Sequence, residues 1–409
     1  MDSDVMQTRT ARHRRWRWAA AIVLLLSATG GWRWWAAGGE PDPADAAGQA
    51  ASAAAGEAGA SGRALAGTAA SAASGVAAAP AGAVVNLALG AETVAVPADG
   101  FTFCGARRVS VDELKRWAAD RTRGRDEARR LEAQMQVAGK AGLVRASARL
   151  AMGSERQQVA ARLLMRDQEG AAALAERSLD VQAYQMALSA CRGMGGSGAG
   201  PACARLSIQR WAELDPTDAR PWLRLMREAH LRQDAAGVAA ALAEAASRPR
   251  WSRASSLLEG QLLAVADAVP DAGELGNALV QAIGFDAAMD DTWDVLVLSS
   301  RACKGEALRD ANRAAHCRAL APRILAQTYD LGEARAAQAL ADRVGVPREQ
   351  QAHDAATLQA AEAQRAQEMP DVNPTCESLQ ALRQFSAARV ASGDLGVALA
   401  ALRPGQPAR

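Results

Sequence analysis

The chain has 409 residues, with 47 Lys plus Arg against 45 Asp plus Glu, for a formal net charge of +2. That balance does not argue for a nucleic-acid partner, while 49% hydrophobic and 22% charged residues are the proportions of a chain that folds. The four histidines, His13, His230, His316 and His353, are scattered, and no P-loop, H-E-x-x-H or G-x-S-x-G motif occurs. No cofactor or metal is therefore expected.

The N-terminus reads as a membrane anchor. Arg9, Arg12, Arg14, Arg15 and Arg17 precede an uncharged apolar run from Trp18 to Trp32, and such a cluster stays on the cytoplasmic side. As a helix, Trp16 to Trp35 spans about 30 Å if Arg17 and Arg33 snorkel to the interfaces. Trp16, Trp18, Trp32, Trp34 and Trp35 then form two interfacial belts. The alternative is a cleaved signal peptide with a site near Ala28-Thr29-Gly30, a poor match followed by bulky tryptophans. Residues 1–15 are thus expected to be cytoplasmic and 16–36 a single-pass anchor in lipid of the bacterial inner membrane. The C-terminal domain is then expected in the periplasm.

Residues 37–100 are dominated by Ala, Gly, Ser and Pro. Such a segment buries too little apolar area to offset its backbone entropy and reads as a disordered tether. Alternation near Val84 to Val96 allows a strand if that run docks.

Residues 101–409 read as one all-α domain. Ser110–Glu113 and Ser154–Gln157 are capping boxes, in which a hydroxyl and an acid or amide satisfy the first free N–H groups of a helix. Apolar periodicity predicts further helices near 125–138, 155–166, 180–191, 253–268, 274–283, 291–303, 310–328, 331–343, 347–368 and 377–391. Alanine suits close helix packing, and Trp117, Trp211, Trp222, Trp251 and Trp293 supply bulk. Helical hairpins stacked as a repeat-like solenoid or as a bundle are expected.

Between Cys191 and Leu242 three apolar stripes follow one another. Ala204, Ile208, Trp211 and Leu214 recur at helical spacing before Pro216, then Trp222, Leu225, Met226 and Ala229, then Val238, Leu242 and Ala245. Gly193 to Gly198 satisfies G-x-G-x-x-G, but a helix precedes it and Pro201 follows, so a hairpin loop is the better reading than a dinucleotide site. Ala204, Ile208 and Pro216, with Trp222 and Leu225 six residues further on, resemble the tetratricopeptide repeat, a helical hairpin of about 34 residues. Met226, Ala229, Val238 and Leu242 depart from that pattern, and the likeness covers about one and a half repeats over 204–249. It implies a divergent helical-repeat unit whose first helix lines a binding face. On the helix after Pro221, Arg220, Leu223, Arg227 and His230 are expected on one side, away from the Trp222–Leu225–Ala229 stripe. There Arg220 and Arg227 would attract a carboxylate-bearing peptide or the acidic patch of a partner. The plainer reading is a solvent face with Arg224–Glu228 as an i, i+4 pair.

Six cysteines in an exported chain are expected to pair. Cys191 and Cys203 lie in similar helix-end contexts to Cys303 and Cys317, which suggests two hairpin staples and leaves Cys104 with Cys376; 15 connectivities remain open. A zinc site on Cys303, His316 and Cys317 lacks a fourth ligand and a familiar spacing. The expected role is non-enzymatic: holding an envelope protein or peptide, with no nucleic acid. An envelope hydrolase using carboxylates gathered by the fold is the alternative, and a purely structural role the third.

Overall fold

The computed structural model describes residues 84–89, 92–193, 200–289, 301–368 and 375–402. The anchor expected at 16–36, with Trp16, Trp18, Trp32, Trp34 and Trp35, lies outside them, as do most of the tether, Trp293 and the glycine run after Gly193. No helix among the described residues is long and apolar enough to cross a membrane. Those residues are all-α in class: 15 helices and only four short strands.

The chain divides into two units, one of residues 1–101 and 109–129 and one of 102–108 and 130–409. In the first, β1 (Val84–Leu89) and β2 (Glu92–Pro97) pair antiparallel, with Val84 opposite Pro97 and Leu89 opposite Glu92. The end of the expected disordered tether is therefore a hairpin, because its Val and Leu positions alternate. Two-residue strands β3 (Phe101–Thr102) and β4 (Arg108–Val109) follow. Helix α1 (Val111–Ala119) starts at the predicted capping box: Ser110 Oγ accepts from Glu113 N at 3.3 Å and Glu113 Oε2 accepts from Ser110 N at 2.9 Å.

Helix α2 (Arg121–Leu150) gives its first residues to this unit and the rest to the second. There follow α3 (Glu155–Leu164), α4 (Gln168–Ala175), α5 (Val181–Gly193), α6 (Pro201–Arg205), α7 (Ile208–Leu214), α8 (Arg220–Leu231) and α9 (Ala235–Ser247). The last six are α10 (Leu257–Ala264), α11 (Ala272–Met289), α12 (Ala311–Gln327), α13 (Leu331–Arg343), α14 (Ala355–Glu368) and α15 (Cys376–Ala401).

The second unit has two main apolar cores. One gathers α3 to α5, α7, α10, α11 and the end of α2 around Tyr184, Trp211 and Phe285. The other gathers α8, α9 and α12 to α15 around Leu223, Met226, Leu242 and Ile324. Alanines such as Ala160, Ala172, Ala187, Ala278, Ala334 and Ala337 are completely buried, which lets helix backbones approach closely without leaving voids. Successive helices pack as hairpins, α8 on α9 and α12 on α13, with α9 against α12.

One predicted stripe is split. Ala204 to Leu214 is not a single helix: Leu206 and Ser207 are extended, and Ala204, in α6, is exposed. Tyr184 of α5 causes the break. Its hydroxyl accepts from Ser207 N at 2.9 Å, taking the place of a helical acceptor, and donates to Ser207 O at 3.2 Å, which also accepts from Trp211 N at 3.3 Å as α7 begins. Ser207 then caps α7 by accepting from Arg210 N at 3.1 Å.

Helix α15 is kinked at Gly393, which has φ 75° and ψ 168°. The carbonyls near a helix end lack intrahelical donors; here the Arg253 guanidinium donates to Arg389 O at 2.7 Å and to Val390 O. Leu395 N restarts the helix by donating to Tyr329 O at 3.0 Å. A Cβ on Gly393 would stand 2.2 Å from Tyr329 O. Gly393→Ala is therefore expected to lower stability by about 1–3 kcal/mol, read as a shifted urea midpoint; an unchanged midpoint would show that the kink is not required.

Candidate functional site: a polar groove along Arg250–Arg253

The extended segment after α9 arises because Pro249 cannot continue a helix. It runs beside the turn between α7 and α8. Arg250 N donates to Thr217 O at 3.1 Å and Ala219 N donates to Arg250 O at 2.9 Å, a parallel bridge. Buried Asp218 completes the join by accepting from Ser252 N at 3.1 Å, from Arg220 N at 3.2 Å and from Ser252 Oγ.

Beneath this segment lies a buried ion pair. Arg220 Nη2 is 2.9 Å from the Glu333 carboxylate, and both residues are 4% exposed. Glu333 also accepts from Trp251 Nε1 at 3.0 Å and Thr328 Oγ1 at 2.6 Å, while the Arg220 guanidinium lies 4.1 Å over the Trp251 ring. Each charge is thus hydrogen-bonded as well as paired, the condition under which buried ions are tolerated.

Two open cavities flank Arg250 to Arg253. The smaller, about 500 Å³, is lined by Arg156, Asp180, Gln185, Asp215, Arg250 and Arg253. Its carboxylates are engaged: Arg156 Nη2 holds Asp180 at 3.0 Å and Arg250 holds Asp215. The larger, about 690 Å³, has Gln182, Arg250, Arg253 and Gln327 among its lining residues, together with Tyr329, Leu395 and Leu399. Arg253 donates Nε to Ser255 O at 3.0 Å and lies 5.5 Å over the Tyr329 ring. Burial draws its pKa below the usual arginine range, and an arginine in that position still keeps its charge.

The two carboxylates that meet in this region are not in either cavity. Asp286 of α11 accepts from Leu258 N at 3.0 Å and Glu259 N at 2.9 Å, acting as a cap for α10 from another helix. Ser256, the residue at that cap position, has φ 59° and makes no such bond. Glu259, fully buried, pairs with Arg389. Burial pushes Asp286 up to about 7, aided by the charge of Glu259 and opposed by the two N–H groups and Arg389.

An acid raised in the fold holds its proton there while the unfolded chain has already lost it. The resulting stabilisation is complete below about pH 4 and is lost as pH rises through about 7. Stability relative to Asp286→Asn should therefore fall between pH 4 and 8, read by urea unfolding. A pH-independent difference would mean Asp286 is ionised throughout.

The sequence-predicted residues are distributed differently from the expected face. Arg220 is 4% and Leu223 0% exposed, so they cannot line a surface, because α8 is covered by neighbours on several sides. Only Arg227, half-buried, and His230, exposed, face outward. Arg224 is also buried, donating to Ser189 Oγ at 3.1 Å and lying 5.0 Å over Trp211. Of the expected stripe, Trp222 and Leu225 are half-buried.

The cysteines form Cys104–Cys376, Cys191–Cys203 and Cys303–Cys317. Cys317 lies two turns into α12, yet the 3₁₀ turn Gly305–Arg309 folds Cys303 back to it. That bond removes the ligand set Cys303, His316 and Cys317, and no other group of three metal-ligating side chains is gathered among the described residues. Arg250, Arg253 and Tyr329 escaped the sequence reading; their one signal was a tryptophan, Trp251, among arginines just after Pro249. In comparisons with known proteins the chain matches no family model, no curated protein and no solved structure, so the groove is interpreted from its own geometry.

Proposed function

We propose that this protein is a membrane-anchored, non-enzymatic scaffold of divergent tetratricopeptide-like hairpins. Held by Trp16 to Trp35 in the bacterial inner membrane, it presents its helical body to the periplasm and there grips a protein or peptide. The observation that carries this reading is the open groove along Arg250–Arg253, with cationic, amide, aromatic and leucine side chains on its walls. Such mixed linings suit non-covalent recognition. Three disulfides that use all six cysteines fit an oxidising compartment.

A hydrolase has less support, because Asp286 is held by two backbone N–H groups, Glu259 is fully buried against Arg389, and neither lines either cavity. A photo-crosslinking residue at exposed Ser392, in the groove, should give a discrete adduct in membranes that the same residue at exposed Arg309 does not. Absence of any adduct, together with peptidoglycan cleavage by the purified chain, would overturn the scaffold. The compartment is tested separately: the intact mass of protein from cells, without reductant, should be lower than the reduced mass by two hydrogens for each of three bridges. Six free thiols would contradict export.

A further inference from the structure

We infer that the larger groove takes a short carboxylate-bearing segment of a partner polypeptide. Its acid would rest on Arg250 and Arg253, and its apolar side chains against Tyr329 and Leu399. The inference rests on the scaffold reading and adds the chemistry of the occupant.

Charge complementarity is the first argument. The lining of this groove contains two arginines and no Asp or Glu. Arg253 donates to three backbone carbonyls, those of Ser255, Arg389 and Val390. Carbonyl dipoles carry no net charge; of the acids that act on Arg253, Glu259 is paired with Arg389 and Asp286 is pushed up to about 7, so a net positive charge remains beside the cavity. Arg250 pairs with Asp215, which lines the smaller cavity and not this one, and the Arg250 side chain remains 48% exposed. A carboxylate entering here meets two cations, and arginine binds carboxylates in a directed, two-pronged way.

The apolar part of the lining supplies the second argument. Tyr329 is a large side chain left 42% exposed, and it stands with Ala326, Leu395 and Leu399 along the same cavity. An occupant therefore needs apolar groups beside its acid. A polyanion such as a nucleic acid presents repeating charge and calls for a row of cations, which two arginines beside leucines do not form. A volume of about 690 Å³ suits a few amino-acid residues.

The test uses the purified full chain in detergent and a fluorescein-labelled heptapeptide of alternating leucine and glutamate. A glutamine-for-glutamate counterpart serves as control, and binding is read by fluorescence polarisation. The acidic peptide should bind about tenfold or more tighter than the glutamine one, the gap narrowing at high salt. Ser392→Glu, at an exposed groove position that spares the core, should weaken the acidic peptide about tenfold, and Ser392→Lys should tighten it. Tyr329→Ala should weaken both peptides. Equal binding of the two peptides, still sensitive to Tyr329→Ala, would overturn the carboxylate assignment while leaving the scaffold in place. Indifference of acidic-peptide binding to Ser392→Glu would place it elsewhere and overturn the inference. Binding of neither peptide would overturn it too, and the Ser392 crosslink would decide whether the scaffold falls with it.

Discussion

Replacing Glu333 with alanine is expected to destabilise the second unit by about 3–5 kcal/mol, the cost of leaving a buried charge without its partner. The side chain is the acceptor for three groups at once: the Arg220 guanidinium, the Trp251 indole N–H and the Thr328 hydroxyl. Without it, Arg220 stays 4% exposed and loses the carboxylate that Glu333 supplies. Water cannot easily take over, because Trp251, 2% exposed, stacks on the guanidinium. Glu333→Gln keeps the shape and some hydrogen bonding but not the charge, so most of the loss should remain. The double change Arg220→Met with Glu333→Leu should recover part of it, since it removes both buried charges, while the Trp251 indole N–H loses its Glu333 acceptor and the Thr328 hydroxyl keeps only Asp330 O. Urea unfolding of the three variants reads the result; a loss below about 1 kcal/mol for Glu333→Ala would mean that the pair is hydrated in solution.

The second large effect concerns the bond between Cys104 and Cys376, which are separated by 272 residues. The other two bridges close separations of only 12 and 14 residues. In the chain-entropy account the constraint on the unfolded state grows with the logarithm of loop length, giving about 5.6 kcal/mol for the long loop against about 3 for each short one. The native geometry around the long bridge is well supported. Cys376 opens α15 directly after Thr375, whose hydroxyl caps the helix by accepting from Ser378 N at 3.2 Å. Asn277 of α11 donates to Cys104 O at 3.0 Å, and Leu379 and Leu382 cover the sulfurs. Replacing both cysteines with alanine should therefore lower the guanidinium midpoint more than doing so for either short pair. The reverse order would show that packing alone holds the stretch around Cys104 against α15.

Much of the local structure was legible from residue order. Ser110 and Ser154 mark helix starts where predicted, since a capping box is satisfied by residues three apart. Helix α13 spans the predicted 331–343, because Asp330 caps it and its apolar positions repeat at helical spacing. The cysteine contexts at 191, 203, 303 and 317 suggested short staples that geometry permits. The candidate site was far less legible. A helical stripe tells that a face is covered, not by how many neighbours, so Arg220 and Leu223 read as surface when α8 is enclosed on several sides. Tyr184 lies 23 residues from the Ser207 backbone that it diverts, and nothing near Ser207 announces it.

From its sequence alone the chain indicated where many of its helices lie, where several of them begin, and that sulfur pairs at helix ends are sterically reasonable. Those choices rest on interactions between residues a turn or so apart. The tertiary structure alone decided that Arg253 meets α15 at its Gly393 kink, that Glu333 gathers three donors from other elements and its own N-terminal turn, and that a groove with two arginines and no acid opens between them. Burial and charge compensation depend on which helices are brought together in space, and no periodicity along the chain encodes that.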